Sequence, residues 1–534
     1  SMDWQSTNTM LYTATARYDW SNDKHAVGAL VGTSYEHYKY ERLAGSREEF
    51  PSDALTDMEA GSTSGAGYTN GAGSSEYKML SYFARVNYTL MDRYLFEVNM
   101  RADASSRFHK DHRWGYFPSF SAGWRMSEES FMKDIEWINN LKIRASYGTL
   151  GNINNVGNYD YFQNYSSGNH YNFSDSPVIG IGESKPANET LGWEKVALTD
   201  IGLDFDIFNG LLGVTADYYI KNTSDILLGY NVPTETGITA APSQNIGKVK
   251  NTGFELALNH RNKIGAVNYS IGANIATNKN KITNLGGSDN IIQTSSYIVK
   301  YILKKGESIG SFYGFKTDGL YTQADIDAGH YYTLSEVVPN AGDIKFVPQR
   351  DIEYKQEITD EDRTILGKDV PDFTYGVNLS LQYKGFEFSM FGQGISGTKV
   401  AFDVYGVHPF YHGQDSPRKY HLKRWTEENP NPHAAYPRIY SASSVHTTYN
   451  RNFSDYHLFD SDYFRFKTLS LGYTVPSATV KNWGLQSLKV YVTGENLFTV
   501  RADKKMEDFD PETAGGVIYT LGTKSVAFGV NISF

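Results

Sequence analysis

The chain of 534 residues is 40% hydrophobic and 14% aromatic, and its formal net charge is −10. No run of about eighteen apolar residues is present, which excludes membrane-spanning helices, and the absence of cysteine excludes disulfide scaffolds and thiolate metal sites. The acidic charge argues against a nucleic-acid-binding protein. The 40 tyrosines and 49 glycines favour an all-β structure with many turns.

Alternation of apolar and polar side chains predicts a succession of β-strands from the first residues onward. Two strands are predicted at about 6–18 and 25–38, and a long loop at 39–77 contains the glycine-rich stretch 61–73. Each later strand has one apolar and one polar face. The apolar residues of the best-defined strands fall within 82–88, 94–102, 212–220, 267–275, 375–383, 386–390, 488–492 and 526–534.

The last strand alternates most regularly. Its apolar face carries Val526, Phe528, Val530, Ile532 and Phe534. Its other face carries Ser525, Ala527, Gly529, Asn531 and Ser533. Such a strand suits a sheet between lipid and a water-filled lumen, although a half-buried strand of a soluble sandwich alternates in the same way.

The lengths of the connections separate these two interpretations. Short turns are predicted at 19–24, 90–93, 208–211, 260–265 and 383–386, with somewhat longer members at 126–140, where a brief helix would fit, and 474–486. They alternate with long loops at 39–77, 152–191, 222–245, 279–372, 397–460 and 500–522, and a shorter one at 104–114. Short turns on one side and long loops on the other are typical of a bacterial outer-membrane β-barrel, and a sandwich has no reason to keep them apart.

The number of strands bears on how much of the barrel this sequence holds. We count about fifteen strands, whereas single-chain bacterial barrels have an even number. Phe534 is expected at the periplasmic end of the last strand, which would place Ser1 on the extracellular side. We therefore expect residues 1–534 to be the carboxy-terminal portion of a larger barrel.

Several segments resemble one known family in order along the chain. They are 82–88 (YFARVNY), 93–95 (RYL), 101–108 (RADASSRF), 113–125 (RWGYFPSFSAGWR), 143–152 (IRASYGTLGN), 189–194 (ETLGWE), 251–255 (NTGFE), 362–367 (DRTILG), 463–473 (YFRFKTLSLGY), 494–498 (GENLF) and the terminal Phe534. Together they resemble the SusC/RagA-like TonB-dependent transporters of Bacteroidetes.

The resemblance implies an antiparallel transmembrane β-barrel of about 22 strands in the outer membrane, with long extracellular loops. It implies energy-coupled import of oligosaccharides or peptides together with a SusD-like surface lipoprotein. In the family a plug domain fills the barrel, and a TonB box couples the plug to TonB–ExbB–ExbD. Neither segment is recognisable in residues 1–534, so coupling is expected to depend on a missing amino-terminal part.

Two other functions remain open. A SusC-like barrel could be a structural scaffold within a surface secretion or assembly complex, where it would contact the same outer-membrane lipid and lipopolysaccharide. A secreted soluble β-rich enzyme is the third reading, although the sequence contains no pattern that predicts catalysis.

No cofactor, metal site or catalytic group is predicted. His408 and His412 have the spacing of helical metal ligands, but Pro409 lies between them and no Glu base accompanies them. Family members often carry a loop resembling a calcium site after the segment that corresponds to 341–346. Here that loop lacks the glycine and the alternating oxygen ligands, and Asp360, Glu361 and Asp362 are expected to be solvated.

Loop aromatics are the predicted substrate contacts, because flat aromatic rings stack on sugars and on peptide side chains. One loop contributes Tyr161, Tyr165 and Tyr171, beside Phe162, and another contributes Tyr405, Tyr411 and Trp425, beside Phe410. The alternative is that these rings pack the loops or dock the lipoprotein. Three further tyrosines are expected at the membrane boundary, namely Tyr88, Tyr94 and Tyr383. By the resemblance, Phe528 and Phe534 belong to the membrane-insertion signal.

Overall fold

The computed structural model describes residues 1–55, 57–63, 69–173, 176–229, 243–294, 298–402, 407–410, 416–512 and 522–534. The chain forms two compact units. The first unit comprises Ser1–Met132, Lys142–Ile201 and Lys221–Lys248, and the second comprises Lys133–Leu141, Gly202–Ile220 and Val249–Phe534.

Nearly all of the described regular structure is β-strand. The strands are β1 (Met2–Ser21), β2 (His25–Ser46), β3 (Thr69–Leu90), β4 (Tyr94–Ser105), β5 (Trp114–Arg125), β6 (Ile138–Asn152), β7 (Asn164–Phe173), β8 (Ser176–Lys185), β9 (Glu194–Ile207), β10 (Leu212–Gly229), β11 (Ser243–Ile264), β12 (Val267–Thr277), β13 (Lys279–Leu285), β14 (Asn290–Thr294), β15 (Lys300–Lys304), β16 (Ser311–Gly314), β17 (Lys316–Leu320), β18 (Thr333–Leu334), β19 (Ile344–Val347), β20 (Glu357–Ile358), β21 (Thr364–Lys368), β22 (Phe373–Tyr383), β23 (Phe386–Ser396), β24 (Lys399–Ala401), β25 (Leu458–Asp460), β26 (Tyr463–Thr474), β27 (Ser487–Arg501) and β28 (Ser525–Ser533).

The described helices are short. The α-helices are α1 (Gln323–Asp327), α2 (Val445–Asn450) and α3 (Ser477–Lys481). Turns of 3₁₀-helix lie at Met58–Ala60, Met126–Glu128, Asp360–Asp362, Lys419–Lys423, Asp455–His457 and Lys504–Asp508. No described helix has the length and apolar character that a membrane span requires.

In the first unit the strands follow the order β1 to β6, then β9, β10 and β11, each paired with the next. Pairing of β2 with β3 runs without a break from His25 opposite Leu90 to Ser46 opposite Thr69. The predicted loop at 39–77 was therefore wrong for 39–46 and 69–77, which are strand. Glycines 71 and 73 belong to the ladder because their backbone groups pair with β2, and side-chain pattern carries no signal of such pairing.

Strands β6, β9, β10 and β11 each have residues in both units. In the second unit the order is β6, β9, β10, β11, β12, β22, β23, β26, β27 and β28, with β13 beside β11. The registers align side chains of one kind across neighbouring strands. One row on the apolar face consists of Tyr269, Leu381, Phe388, Leu471, Val492 and Phe528. The next row, on the polar face, consists of Ser270, Ser380, Ser389, Ser470 and Thr493. The predicted alternation is confirmed.

The short turns require backbone that most residues avoid. Met91 and Asp92 have φ of 52° and 56°, and Lys384 and Gly385 have φ of 46° and 89°. Positive φ at both central residues defines the turn type whose twist matches a β-hairpin. Strands β1 and β11 continue a few residues into the turns predicted at 19–24 and 260–265. The connections at 126–140 and 474–486 contain the 3₁₀ turn Met126–Glu128 and α3, respectively.

Most residues of the buried cores lie in the long connections of each unit. In the first unit Phe108, Phe117, Val156, Leu191 and Trp193 form one cluster. In the second unit the largest cluster includes Phe315, Leu320, Ile344, Phe346, Trp425 and Tyr449. The apolar face of the sheet is exposed instead, with Phe528 at 83% and Val530 at 57%. The long connections are therefore folded structures, and the sheet presents an unburied apolar face.

Candidate functional site

A cavity of about 440 Å³ lies in the second unit, on the polar side of β23 and β26. Gln393 and Ile395 of β23 and Tyr463 and Lys467 of β26 form its sheet-side wall. The long connections complete the lining with Tyr301, Phe312, Asp369, Thr398, Lys399, Val400, Ser461, Pro511 and Glu512. The cavity is at the ends of the strands that lead into the long connections.

Strand register and one bulge place the charged residues of β26 on the side of the cavity. Gln393 lies opposite Arg465, and Ile395 lies opposite Tyr463. Lys467 is an extra residue relative to β23, since Phe391 pairs with Thr468 and Gly392 pairs with Phe466. The bulge shifts the alternation of β26 by one residue, so that Arg465 lies on the same face as Ser470. Lys467, two residues after Arg465, reaches the same carboxylate.

That carboxylate belongs to Glu512 and accepts four hydrogen bonds. One oxygen, Oε2, accepts from Arg465 Nη1 and from Lys467 Nζ, each at 2.6 Å. The other, Oε1, accepts from the Tyr463 hydroxyl at 2.9 Å and from Gln393 Nε2 at 3.3 Å. Hydrogen bonds between charged partners are the strong ones, so Glu512 ties its loop to β23 and β26.

A second carboxylate shares the guanidinium of Arg465. Asp510 Oδ1 accepts from Nη2 at 2.5 Å, and Arg465 Nε donates to Thr499 Oγ1 at 3.0 Å. Burial acts to raise the pKa of Glu512, but the hydrogen bonds from Lys467 and Tyr463 and the nearby positive charges outweigh it, and the pKa is lowered. The same balance between burial and Arg465 lowers the pKa of Asp510. Both groups are therefore ionised at neutral pH.

An aromatic wall and a third acid complete the cavity. The rings of Tyr301 and Phe312 lie 5.0 Å apart, and Phe312 is anchored in a buried cluster. Burial raises the pKa of Asp369. The cavity thus combines an aromatic surface with charged and amide groups, which is typical of sites that orient a polar ligand.

The predicted aromatics of the first unit have different environments. Tyr161 packs against the buried cluster, and its ring lies tilted against that of Phe162 with ring centroids 4.1 Å apart. Tyr165 lies in β7 and is 64% exposed. Tyr171 pairs with Val178 in the β7–β8 hairpin, and its side chain lies outside the described part. Contact of these residues with a substrate stays a prediction, and the Tyr165 ring is exposed and could make it.

Of the predicted aromatics of the second unit, Trp425 is described, and it does not line the cavity. Tyr405 and Tyr411 lie outside the described residues. Trp425 is 5% exposed, packs in the largest buried cluster and has the guanidinium of Arg438 5.5 Å from its ring. Its contact with a substrate also stays a prediction, although its observed contacts hold the loops together.

In the loop that follows 341–346, the positive charge beside the acidic residues is the side chain of Arg350. Asp362, expected to be solvated, is fully buried, so that prediction was wrong for this residue. Its carboxylate accepts from Arg350 Nη2 at 2.6 Å and from the backbone N–H groups of Gln349, Arg350 and Thr359. The neighbouring Asp360 and Glu361 have side chains that are 81% and 76% exposed, as expected.

The structure describes one of the two histidines that were predicted to hold no metal. His408 is buried and its Nδ1 lies 3.2 Å from the Tyr436 hydroxyl, whereas His412 lies outside the described residues. Within the described ranges, no group of three or more His, Cys, Asp or Glu side chains is placed to hold a metal ion.

Sequence reasoning missed Glu512, Arg465 and Lys467 as a site. The available signal was the pair of cations at 465 and 467, placed at the end of a strand that leads into a long loop. The partner acid could not be found from sequence, because Glu512 lies 47 residues beyond Arg465 and 119 beyond Gln393.

A family model described as "TonB dependent receptor-like, beta-barrel" matches residues 2–497. The chain belongs to this family of β-barrels. It is 30% identical to TonB-dependent receptor P3 of Formosa agariphila, over 93% of this chain and 48% of that protein. It is 29% identical to the TonB-dependent receptor SusC of Bacteroides thetaiotaomicron, over 85% of this chain and 43% of SusC.

Among solved structures, the RagAB peptide transporter aligns with a TM-score of 0.81 and 25% identity, covering 100% of this chain and 56% of the matched one. The chain spans about half the length of the relatives it matches.

Membership of the TonB-dependent receptor family indicates which face of the sheet contacts lipid and which faces the barrel interior. The chain is an outer-membrane β-barrel sequence of a receptor and transporter family, not an enzyme. The exposed apolar rows face lipid and the hydroxyl row faces the barrel interior. Phe528 and Phe534, at 83% and 82% exposure, lie on the lipid side, and their part in membrane insertion stays a prediction.

Proposed function

We propose that the chain is the carboxy-terminal barrel portion of an energy-coupled outer-membrane importer of the SusC/RagA type. The similarity to SusC and to the RagAB peptide transporter, over 85% and 100% of the chain, supports this proposal. The remaining part of the protein would supply the plug and the TonB box, and a SusD-like lipoprotein would cover the extracellular side.

The observation that carries the proposal is the cavity at Tyr463, Lys467 and Glu512. It opens on the interior side of two barrel strands, where a substrate entering between the loops would arrive. Its lining of charged, amide and aromatic groups suits oligosaccharides and peptides alike. Exposed Tyr165 would provide an additional contact on the loops of the first unit.

Gene deletion with complementation tests the import function. We expect the deletion strain to lose growth on one class of polymeric nutrient, glycan or peptide, and the full-length gene to restore it. Restoration should fail in a strain without TonB, because import against a gradient needs energy coupling. Normal growth of the deletion strain on all such nutrients, with co-purification of secretion or assembly proteins, would favour the scaffold alternative.

A further inference from the structure

Glu512 occupies a binding site that the barrel wall forms for a carboxylate. Its four donors, Gln393, Tyr463, Arg465 and Lys467, all project from β23 and β26. We call these four residues the carboxylate cradle. Strands of a barrel hold side chains more firmly than loops do, so the positions of the four donors do not depend on Glu512.

The positive and negative charges at the cradle are balanced, so one bound carboxylate can be replaced by another. Arg465 and Lys467 supply two positive charges, and Asp510 and Glu512 supply two negative charges. Asp510 accepts from Arg465 Nη2 at 2.5 Å and from Nη1 at 3.3 Å. Departure of Glu512 alone would leave Lys467 Nζ without its described acceptor and Arg465 Nη1 with only the longer bond to Asp510 Oδ2, at 3.3 Å. One carboxylate from outside restores the balance.

Glu512 also lies on the accessible side of the cluster. Its side chain is 23% exposed and that of Lys467 is 25% exposed, whereas the side chain of Arg465 is 5% exposed. Both Glu512 and Lys467 line the cavity of about 440 Å³. A ligand in the cavity therefore reaches the Glu512 end of the cradle first.

We propose that the carboxylate cradle binds a carboxylate group of the imported substrate in exchange for Glu512. The inference rests on the proposed import function and narrows its substrate to an acidic one. A uronic acid of a glycan and the carboxy-terminus of a peptide present the same group. In either case the substrate carboxylate would take the hydrogen bonds that Glu512 accepts from the cradle.

Acetate is the minimal probe of the cradle. We expect E512A in the purified full-length protein to bind ¹³C-labelled acetate saturably, at least about tenfold more tightly than the unmodified protein, in an NMR titration. The matched control is E507A, because Glu507 is an exposed acid in the same connection for which no side-chain contact is described. It should bind acetate no better than the unmodified protein.

Adding K467M to E512A should abolish the gain, since it removes the accessible cation of the cradle. Heat-modifiable migration in gels shows that each variant is a folded barrel. Equal acetate affinity in E512A and E507A, both folded, would overturn the proposal.

Two ligand series identify the source of the carboxylate. Oligogalacturonides are compared with neutral oligogalactosides, and peptides with a free carboxy-terminus are compared with the same peptides amidated. We expect E512A to tighten binding of the acidic member of one series only. Binding without TonB-dependent uptake would refute import but leave the cradle intact. Uptake of a substrate whose affinity is the same in E512A and E507A would refute the cradle but leave import intact.

Discussion

The loop at 347–363 shows how a single side chain can substitute for an external ion. The guanidinium of Arg350 reaches both oxygens of Asp362 and also donates to the backbone carbonyl of Glu357. Burial alone would raise the pKa of Asp362, but the hydrogen bonds from Arg350 and the backbone lower it to about 2. A loop held this way needs no bound cation.

We expect R350M to destabilise this loop locally by about 2 kcal/mol, since it leaves the Asp362 charge buried without its partner. Hydrogen exchange of the amides of 349, 350 and 359 should become about 30-fold faster. The control is E361Q, because the Glu361 side chain is 76% exposed and its ion pair with Arg350 adds little. Equal protection in both variants would contradict this account of the loop.

Buried histidines make the loops of the second unit sensitive to acid. His408 and His457 lie with ring centroids 5.3 Å apart, close to Tyr436 and to the cations Arg451 and Lys505. Burial lowers the pKa of His457 to about 4 and that of His408 well below its usual value. Because the unfolded state binds protons first, loop stability is complete above about pH 6.5 and falls as the pH decreases towards 4.

The pH dependence is measurable as hydrogen exchange in 445–460. Protection should weaken below pH 6.5 by up to about 1.4 kcal/mol per pH unit for each histidine. In H457Q the slope should be shallower. H330Q is the control, because His330 is exposed and makes its ring contact with Tyr354 on the surface. An unchanged slope in H457Q would show that the buried histidines do not titrate with unfolding.

At the scale of elements, the hairpins depend on turns with left-handed backbone. Gly385 has φ of 89°, and a Cβ there would lie 2.6 Å from the carbonyl oxygen of Thr474. Gly265, in another short turn, has φ of 59° and nothing within 4 Å of such a Cβ. Substitutions at these two glycines therefore distinguish the effect of backbone strain from the effect of a steric collision.

We expect G385A to reduce the amount of assembled barrel in the outer membrane more than G265A does. Both changes add the strain of positive φ, about 1 kcal/mol, but only G385A also displaces the backbone at Thr474. Heat-modifiable migration of membrane fractions measures assembly. Equal yields of the two variants would mean that the neighbouring strand accommodates the methyl group.

The strands and their order followed from the sequence, because a period of two and alternating connection lengths are local signals. The fifteen strands from β1 to β28 along the main path, with β13 outside it, agree with the expected number. The cradle and the strands inside the predicted long loops were not predictable, namely β7, β8, β13 to β21, β24 and β25. They form through contacts between distant segments, such as Asn450 with Asp343, 107 residues apart.

At the scale of the whole molecule, lipid replaces the protein core for most strands. The apolar rows are exposed, whereas the buried clusters belong to the connections. A barrel in lipid needs its apolar side chains on the outer face, because that face contacts hydrocarbon. Its backbone groups are hydrogen-bonded within the sheet. The short turns should then lie in the periplasm and the folded connections outside the cell.

Single cysteines test this orientation, since the 534 residues contain none. We expect N70C, at the far end of β3, to react with a membrane-impermeant maleimide on intact cells. D92C, in the turn between β3 and β4, should react only after the outer membrane is permeabilised. Labelling of D92C alone on intact cells would reverse the assigned topology.

The length of the first strands determines how far they extend along the membrane normal. Strand β2 has 22 residues and pairs with β3 along its whole length. At roughly 3.3 Å per residue and a tilt of about 40°, such a strand rises about 55 Å, whereas the hydrocarbon layer is about 30 Å thick. Almost half of this wall stands clear of the lipid, among the sugars of lipopolysaccharide. Any molecule that approaches the cell would meet protein there, well before it reaches the level of the membrane.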